Sequence, residues 1–263
     1  MKAFVDQIER EVVLTHFPPR RIVSLVPSQT ELLADLGLEE QVVGITKFCV
    51  HPTAWRQEKQ LIGGTKKLHL DRIRALQPDL IIANQEENDR EQVLELAKEF
   101  PVWVSKVTDL PTASEMIVAV GELTATSARA KEITQQLEVS FSALAQFASR
   151  RALYLIWRKP YMASGGDTFI HSMLLASGFT NVLADQDRYP SLSDDEIQAL
   201  APEVILLSSE PFPFRERHLA ELSALCPNAA VRLVDGEMFS WYGSRLLRSA
   251  AYFRNLRADL GTT

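Results

Sequence analysis

Leu70-Asp71-Arg72-Ile73-Arg74-Ala75-Leu76-Gln77-Pro78-Asp79-Leu80-Ile81-Ile82-Ala83 is the stretch that decides the fold. Apolar residues at helical spacing run up to Pro78, which ends the helix, and an unbroken β-branched run follows as a buried strand. The same order returns as Ser193-Asp194-Asp195-Glu196-Ile197-Gln198-Ala199-Leu200-Ala201-Pro202-Glu203-Val204-Ile205-Leu206-Leu207. Acidic residues open both helices, and both helices reach their strand through Ala-Leu-x-Pro.

Upstream of each copy lies a matching strand and helix. In the first, Arg21-Ile22-Val23-Ser24-Leu25-Val26 reads as a strand, and Glu31 to Leu36 as a helix stopped by Gly37. In the second, Leu153-Tyr154-Leu155-Ile156-Trp157 is the strand, and Ile170 to Ala176 the helix stopped by Gly178. A pattern repeated in order points to a duplicated lobe. Between the copies, Met116, Ile117, Val120 and Leu123 form one apolar stripe, and Ile133, Leu137, Phe141 and Leu144 a second. Glycine is absent from 122 to 162 and proline from 112 to 159, so a helix of about 22 residues, roughly 33 Å long, is expected as a spine. A last helix carries Leu246, Leu247, Ala250, Phe253 and Leu256.

The expected fold is therefore α/β, with two Rossmann-like lobes joined by a long inter-lobe helix and a ligand cleft between them. The boundaries are an N-terminal lobe over 1–110, a helical connector over 111–150 and a C-terminal lobe over 151–263. A net charge of -6 argues against nucleic acid as a partner. Cys49 and Cys226 sit in opposite halves outside any CxxC pair, which excludes a disulfide framework or a structural zinc. GxSxG, GxxxxGK[ST], HExxH and GxGxxG are all absent. No run approaches the roughly 20 apolar residues of a membrane span. The first ten residues carry acids where a leader peptide has an apolar core.

Pro19-Arg20-Arg21-Ile22-Val23-Ser24-Leu25-Val26-Pro27-Ser28-Gln29-Thr30-Glu31-Leu32 resembles the opening of the helical-backbone (class III) solute-binding proteins. These serve ABC importers for cobalamin, iron-siderophore complexes and haem. Val42-Val43-Gly44-Ile45-Thr46, Leu70-Asp71-Arg72-Ile73 and Leu76-Gln77-Pro78-Asp79-Leu80-Ile81-Ile82 follow in that family's order. Phe4-Val5-Asp6 to Val12-Val13-Leu14 looks like its leading hairpin. Phe48 stands where cobalamin receptors carry a tyrosine, and Thr65 where they carry a tryptophan. The resemblance implies a receptor for a metal chelate or corrinoid feeding an ABC importer, periplasmic, monomeric and not an enzyme. It also implies permease docking by an acid on each lobe, Asp71 on the first and Asp195 or Glu196 on the second. The bound ligand can itself contain iron or cobalt, and no further cofactor is expected. Two alternatives stay open: a cytosolic binding or sensor module of the same fold, if the missing leader is native, and a chelatase-like enzyme.

The candidate ligand-binding residues lie where strands give way to loops. Phe48, Cys49 and His51 follow the second strand; thiolate and imidazole suit a soft metal, although two donors at i and i+2 cannot complete a site. No resident metal site is assigned. Trp157, Arg158 and Tyr161 close the first strand of the second lobe. Phe239-Ser240-Trp241-Tyr242-Gly243-Ser244-Arg245 offers flat aromatic area and, in Arg245, a planar fork for carboxylate; packing of Trp241 beside the last helix is the competing reading. Ser28 to Glu31 fits a capping box, Asp167 an N-cap, and Asp71 and Asp195 helix starts.

Overall fold

In the computed structural model, residues 1–144 and 147–261 are described. The chain forms two compact units. The first comprises Met1–Val107, Pro111–Gln136 and Tyr242–Arg245; the second comprises Thr108–Leu110, Leu137–Trp241 and Leu246–Thr263.

The first unit opens with a hairpin, β1 (Lys2–Val5) and β2 (Glu11–Leu14), paired antiparallel. Then come β3 (Ile22–Ser24), α1 (Pro27–Asp35), β4 (Val42–Ile45), α2 (Trp55–Glu58) and β5 (Gln60–Leu61). They are followed by α3 (Leu70–Ala75), β6 (Leu80–Asn84), α4 (Arg90–Ala97) and β7 (Val102–Ser105). The five later strands form a parallel sheet in the order β5-β4-β3-β6-β7. This is a doubly wound arrangement, whose order reverses beside β3.

Two helices come next, α5 (Leu110–Leu123) and α6 (Ser127–Ser142). The two stripes fall on two helices, and the spine is shorter than the roughly 22 residues expected: α6 has 16 residues, about 24 Å at 1.5 Å per residue. Ala125, with φ at 60°, turns the chain between them, and Gly121 lets α5 approach α6, because a Cβ there would lie 2.4 Å from that of Ala130.

The second unit contains β8 (Arg150–Trp157), β9 (Tyr161–Ala163), α7 (Phe169–Ala176), β10 (Phe179–Asn181) and β11 (Ser191–Leu192). It continues with α8 (Asp194–Leu200), β12 (Val204–Ser208), α9 (Glu216–Leu225), β13 (Ala230–Val234), α10 (Glu237–Ser240) and α11 (Leu246–Asp259). Its sheet runs β11-β9-β8-β12-β13, with β10 also paired to β8. β8, β12, β13 and β10 are parallel, while β9 and β11 run antiparallel to their neighbours. Leu153, Leu155, Ile205, Leu207, Ile197 and Leu222 are among the side chains that pack one core of this unit.

The repeat seen in the sequence returns as matching bonds inside each unit. Gln77 and Ala201, the variable residues of the two Ala-Leu-x-Pro peptides, both take left-handed backbone, with φ at 44° and 43°. The strands behind them, β6 and β12, are buried along their whole length. Arg21 Nε donates to the Leu76 carbonyl at 2.7 Å, and Arg151 Nη2 donates to the Leu200 carbonyl at 2.7 Å. Asp79 Oδ1 accepts from Arg21 N at 2.8 Å, as Glu203 Oε2 accepts from Arg151 N at 2.7 Å. One clasp thus ties the start of the central strand to the helix–strand corner in both units.

Several capping expectations are corrected. Pro27 stands in the first turn of α1, so this helix starts earlier than a Ser28 cap requires. Its N-cap is Val26, and Glu31 is occupied elsewhere. Thr168, not Asp167, caps α7, accepting from His171 N at 3.2 Å; Asp167 Oδ1 instead accepts from Arg188 N. Asp71 and Asp195 do stand at helix starts, in the first turns of α3 and α8, although the N-caps themselves are His69 and Ser193.

Candidate functional site

Parallel α/β sheets present loops for ligands at the carboxyl ends of their strands. In the first unit, Thr46-Lys47-Phe48-Cys49 follows β4. Phe48 is 51% exposed, unusual for so large an apolar side chain in a loop fixed this firmly. The turn around it is fixed by Cys49 N donating to Thr46 O at 3.1 Å and Lys47 N donating to Gly63 O at 2.8 Å. Cys49 departs from its expected role. It is wholly buried, and its sulfur lies 3.1 Å from Thr30 Oγ1 and 3.2 Å from Thr46 Oγ1. Burial pushes the thiol above its ordinary pKa, so Cys49 anchors the loop and has no face for a ligand. His51 stays half-buried on the same loop.

The crevice beside β3 and β6, where the strand order reverses, is filled by the chain itself. Tyr242 Oη donates to Glu87 Oε1 at 2.6 Å, just beyond β6. Gly243 lies over the first turn of α1, since a Cβ there would come 3.0 Å from Ser28 O. Arg245 Nε and Nη2 donate to the two oxygens of Glu31, each at 2.7 Å. The two side chains are only 4% and 7% exposed. The Tyr242 hydroxyl is held well above its usual pKa by burial and by the Glu87 carboxylate. The fork that the sequence offers to a ligand carboxylate is thus taken by a carboxylate of the protein.

In the second unit, Trp157 ends β8 and is 39% exposed. Phe212 meets it edge-on at 5.7 Å between ring centroids; Phe214 and His218 stack behind Phe212 at 4.9 and 5.5 Å. His218 Nδ1 accepts from Arg215 N at 2.8 Å, and burial with the Arg217 charge beside it lowers the imidazole pKa. Arg158 Nε and Nη2 reach Glu221 at 3.1 and 2.7 Å, and Tyr161 Oη donates to the same carboxylate at 2.6 Å. Arg158 holds the Glu221 carboxyl below its usual range. Burial, reinforced by Glu221, pushes Tyr161 up to about 12. Farther along this unit, Glu210 Oε1 accepts from Ser240 Oγ at 2.7 Å and from Trp241 Nε1 at 3.0 Å. Burial raises the Glu210 pKa.

Trp241, Tyr242 and Arg245 are therefore buried, with their polar tips on Glu210, Glu87 and Glu31. The Asp71 carboxylate is fully exposed in the first turn of α3, and Asp195 is exposed in that of α8. Glu196 folds back on the cap of its own helix, accepting from Ser193 N at 2.7 Å, which lowers its pKa. Among the described residues, no group of three or more His, Cys, Asp or Glu side chains could hold a metal ion. No described helix is long and apolar enough to cross a membrane.

Sequence reasoning misses Phe212, Phe214, Glu221, Glu87 and Glu31. Only the first two carry a signal: Glu210-Pro211-Phe212-Pro213-Phe214 sets two aromatics at alternate positions just past a buried strand. Glu221 lies on an amphipathic helix and reads as a solvated face.

A family model for periplasmic binding proteins matches residues 22–224. The uncharacterised ABC transporter substrate-binding lipoprotein YvrC of Bacillus subtilis is 24% identical over 77% of this chain and 68% of its own length. A cobalamin-binding protein of Halobacterium salinarum is 28% identical over 81% of this chain, a match spanning 60% of that relative. The periplasmic vitamin B12 binding protein BtuF of Vibrio cholerae superposes with a TM-score of 0.81 at 21% identity, over 94% of this chain and 99% of BtuF, and so shares its fold. With its two α/β units and a family match over most of its length, the chain belongs to the periplasmic binding protein family.

Proposed function

We propose that the chain is the solute receptor of an ABC importer, and that its solute is a metal chelate of the corrinoid, haem or ferric-siderophore kind. The observation that carries this reading is an aromatic side chain left open at the carboxyl end of a central strand in each unit: Phe48 beyond β4 and Trp157 at the end of β8. An open ring offers flat apolar area to a macrocycle at little entropic cost. Relatives named for cobalamin and vitamin B12 put a corrinoid first among the probes.

In this reading Phe48, with His51 on the same loop, is the ligand contact that the first unit offers, and Trp157 the one that the second offers. Arg158, Glu221 and Tyr161 hold the end of β8 and the turn into β9 in place for Trp157. Trp241, Tyr242 and Arg245 are assigned to the fold, and Cys49 to anchoring the Phe48 loop. Asp71 and Asp195 are the acids offered to a permease. The protein works outside the cytoplasmic membrane as a single chain, without catalysis and without nucleic acid.

A thermal-shift screen with cyanocobalamin, hemin and ferrichrome tests the reading. A ligand present at a hundred times its Kd stabilises by about 2.7 kcal/mol, a rise of roughly 5–10 °C for a chain of this size. One of the three is expected to produce it; no rise with any of them defeats the proposal.

A further inference from the structure

Next to Phe48 the structure arranges two features that neither the fold nor the family match requires. The first lies against the ring. A Cβ built on Gly64 would approach Phe48 Cε2 to 3.0 Å and Lys47 Cε to 3.5 Å. The ring therefore packs against bare backbone, and the absence of a side chain at 64 sets its position. That backbone is firm: Gly64 N donates to Lys67 O at 2.8 Å, and Gly63 bridges Leu68. Gly63 itself has φ at 106°, which favours glycine.

The second feature is a cation over the ring. The Lys47 ammonium lies 5.0 Å from the Phe48 centroid and the residue is exposed. The neighbouring Lys66 differs, since its ammonium is spent on the carbonyls of Glu86 and Asn88. A half-exposed ring with an ammonium held over it suits a ligand that has a flat apolar surface and a negative group within reach of that ammonium.

We propose that Lys47, Phe48 and Gly64 form one recognition element for a chelate with a flat face and an anionic arm, either carboxylate or phosphodiester. This rests on the receptor reading above and narrows it. Phe48 stacks on the ligand, Lys47 pairs with the arm, and Gly64 is a positioning residue that acts only through the ring.

Three titrations into the full chain test the proposal, with cyanocobalamin (a phosphodiester arm), hemin (carboxylate arms) and dicyanocobinamide (no anionic arm). The wild type should bind at least one of the first two. Lys47→Gln should weaken that probe roughly tenfold, as expected for a lost bond to a charged group, and leave any dicyanocobinamide binding unchanged. Equal loss for probes with and without the arm overturns the pairing, as does no loss at all. Gly64→Ala should weaken binding in the wild-type background and have no further effect beside Phe48→Ala. A Gly64→Ala loss that persists without the ring shows a merely structural role and overturns the positioning claim. Phe48→Leu keeps an apolar residue in the loop and covers the case in which Phe48→Ala fails to fold; it should give the same cycle. Wild-type binding of none of the three overturns this inference, whereas ferrichrome binding in the thermal screen would leave the receptor reading standing.

Discussion

Replacing Arg245 by alanine removes a guanidinium that bonds both oxygens of Glu31 at 2.7 Å, with both side chains almost sealed from water. What remains is a carboxylate that water cannot reach freely and that has lost its fork. Breaking such a pair from one side costs about 3–5 kcal/mol, most of it the penalty of the abandoned charge. Against a total of about 5–15 kcal/mol for a domain, this is a large fraction. With a urea m-value of about 3 kcal/mol/M, the midpoint should fall by roughly 1 M or more. Removing both partners is different. Glu31→Leu with Arg245→Met exchanges a buried ion pair for apolar groups of similar size and should recover most of the loss. Urea denaturation of the wild type, Glu31→Leu, Arg245→Met and the double variant closes the cycle, with Arg245→Ala measured beside it. A cost below about 1 kcal/mol for Arg245→Ala, or single losses that simply add in the double variant, would refute the reasoning.

Asp79→Ala deletes the acceptor for Arg20 N and Arg21 N and should cost about 1–2 kcal/mol. Glu203→Ala should cost less, since a single bond to Arg151 N is lost; chemical denaturation ranks them. Tyr161 ionises with a folded pKa of about 12, above its ordinary value of 10.0. Between those two pH values the folded state holds a proton that the unfolded state has released, so stability falls as pH rises through this window. Denaturation midpoints of wild type and Tyr161→Phe across it should converge on a smaller pH dependence for the variant. Cys49 and Cys226 are both free, buried and raised in pKa by burial, so a thiol reagent should count two thiols in denaturant and react slowly with the native protein.

The repeat was readable because its signals are local. Ala-Leu-x-Pro stops a helix wherever it occurs, and the buried strands behind it need only consecutive β-branched and aliphatic residues. The left-handed Gln77 and Ala201 are the corner those peptides describe. The extent of α1 was less legible, because Ser28-x-x-Glu31 has the right spacing for a capping box but Pro27 moves the first turn. The site was half legible for a related reason. Phe48 and Trp157 are open because of where they fall at strand ends, which periodicity reveals. The occupation of Arg245 by Glu31 depends on two residues brought together by the whole topology, and no spacing rule reports it. Glu221 escaped notice in the same way, as one charge among many on the exposed face of α9.

Synthesis runs from the amino end, and this gives the Tyr242–Arg245 segment a consequence in time. Glu31 and Arg245 are 214 positions apart in the chain. When residues 1–136 have been made, every strand of the first sheet exists, yet the cation for Glu31 and the phenol for Glu87 do not. At about 5–20 residues per second they arrive roughly 5–20 s later. During that interval the first unit lacks the segment that bonds Glu31 and Glu87. The first unit is therefore complete only after Tyr242–Arg245, and with it most of the second unit, has been made.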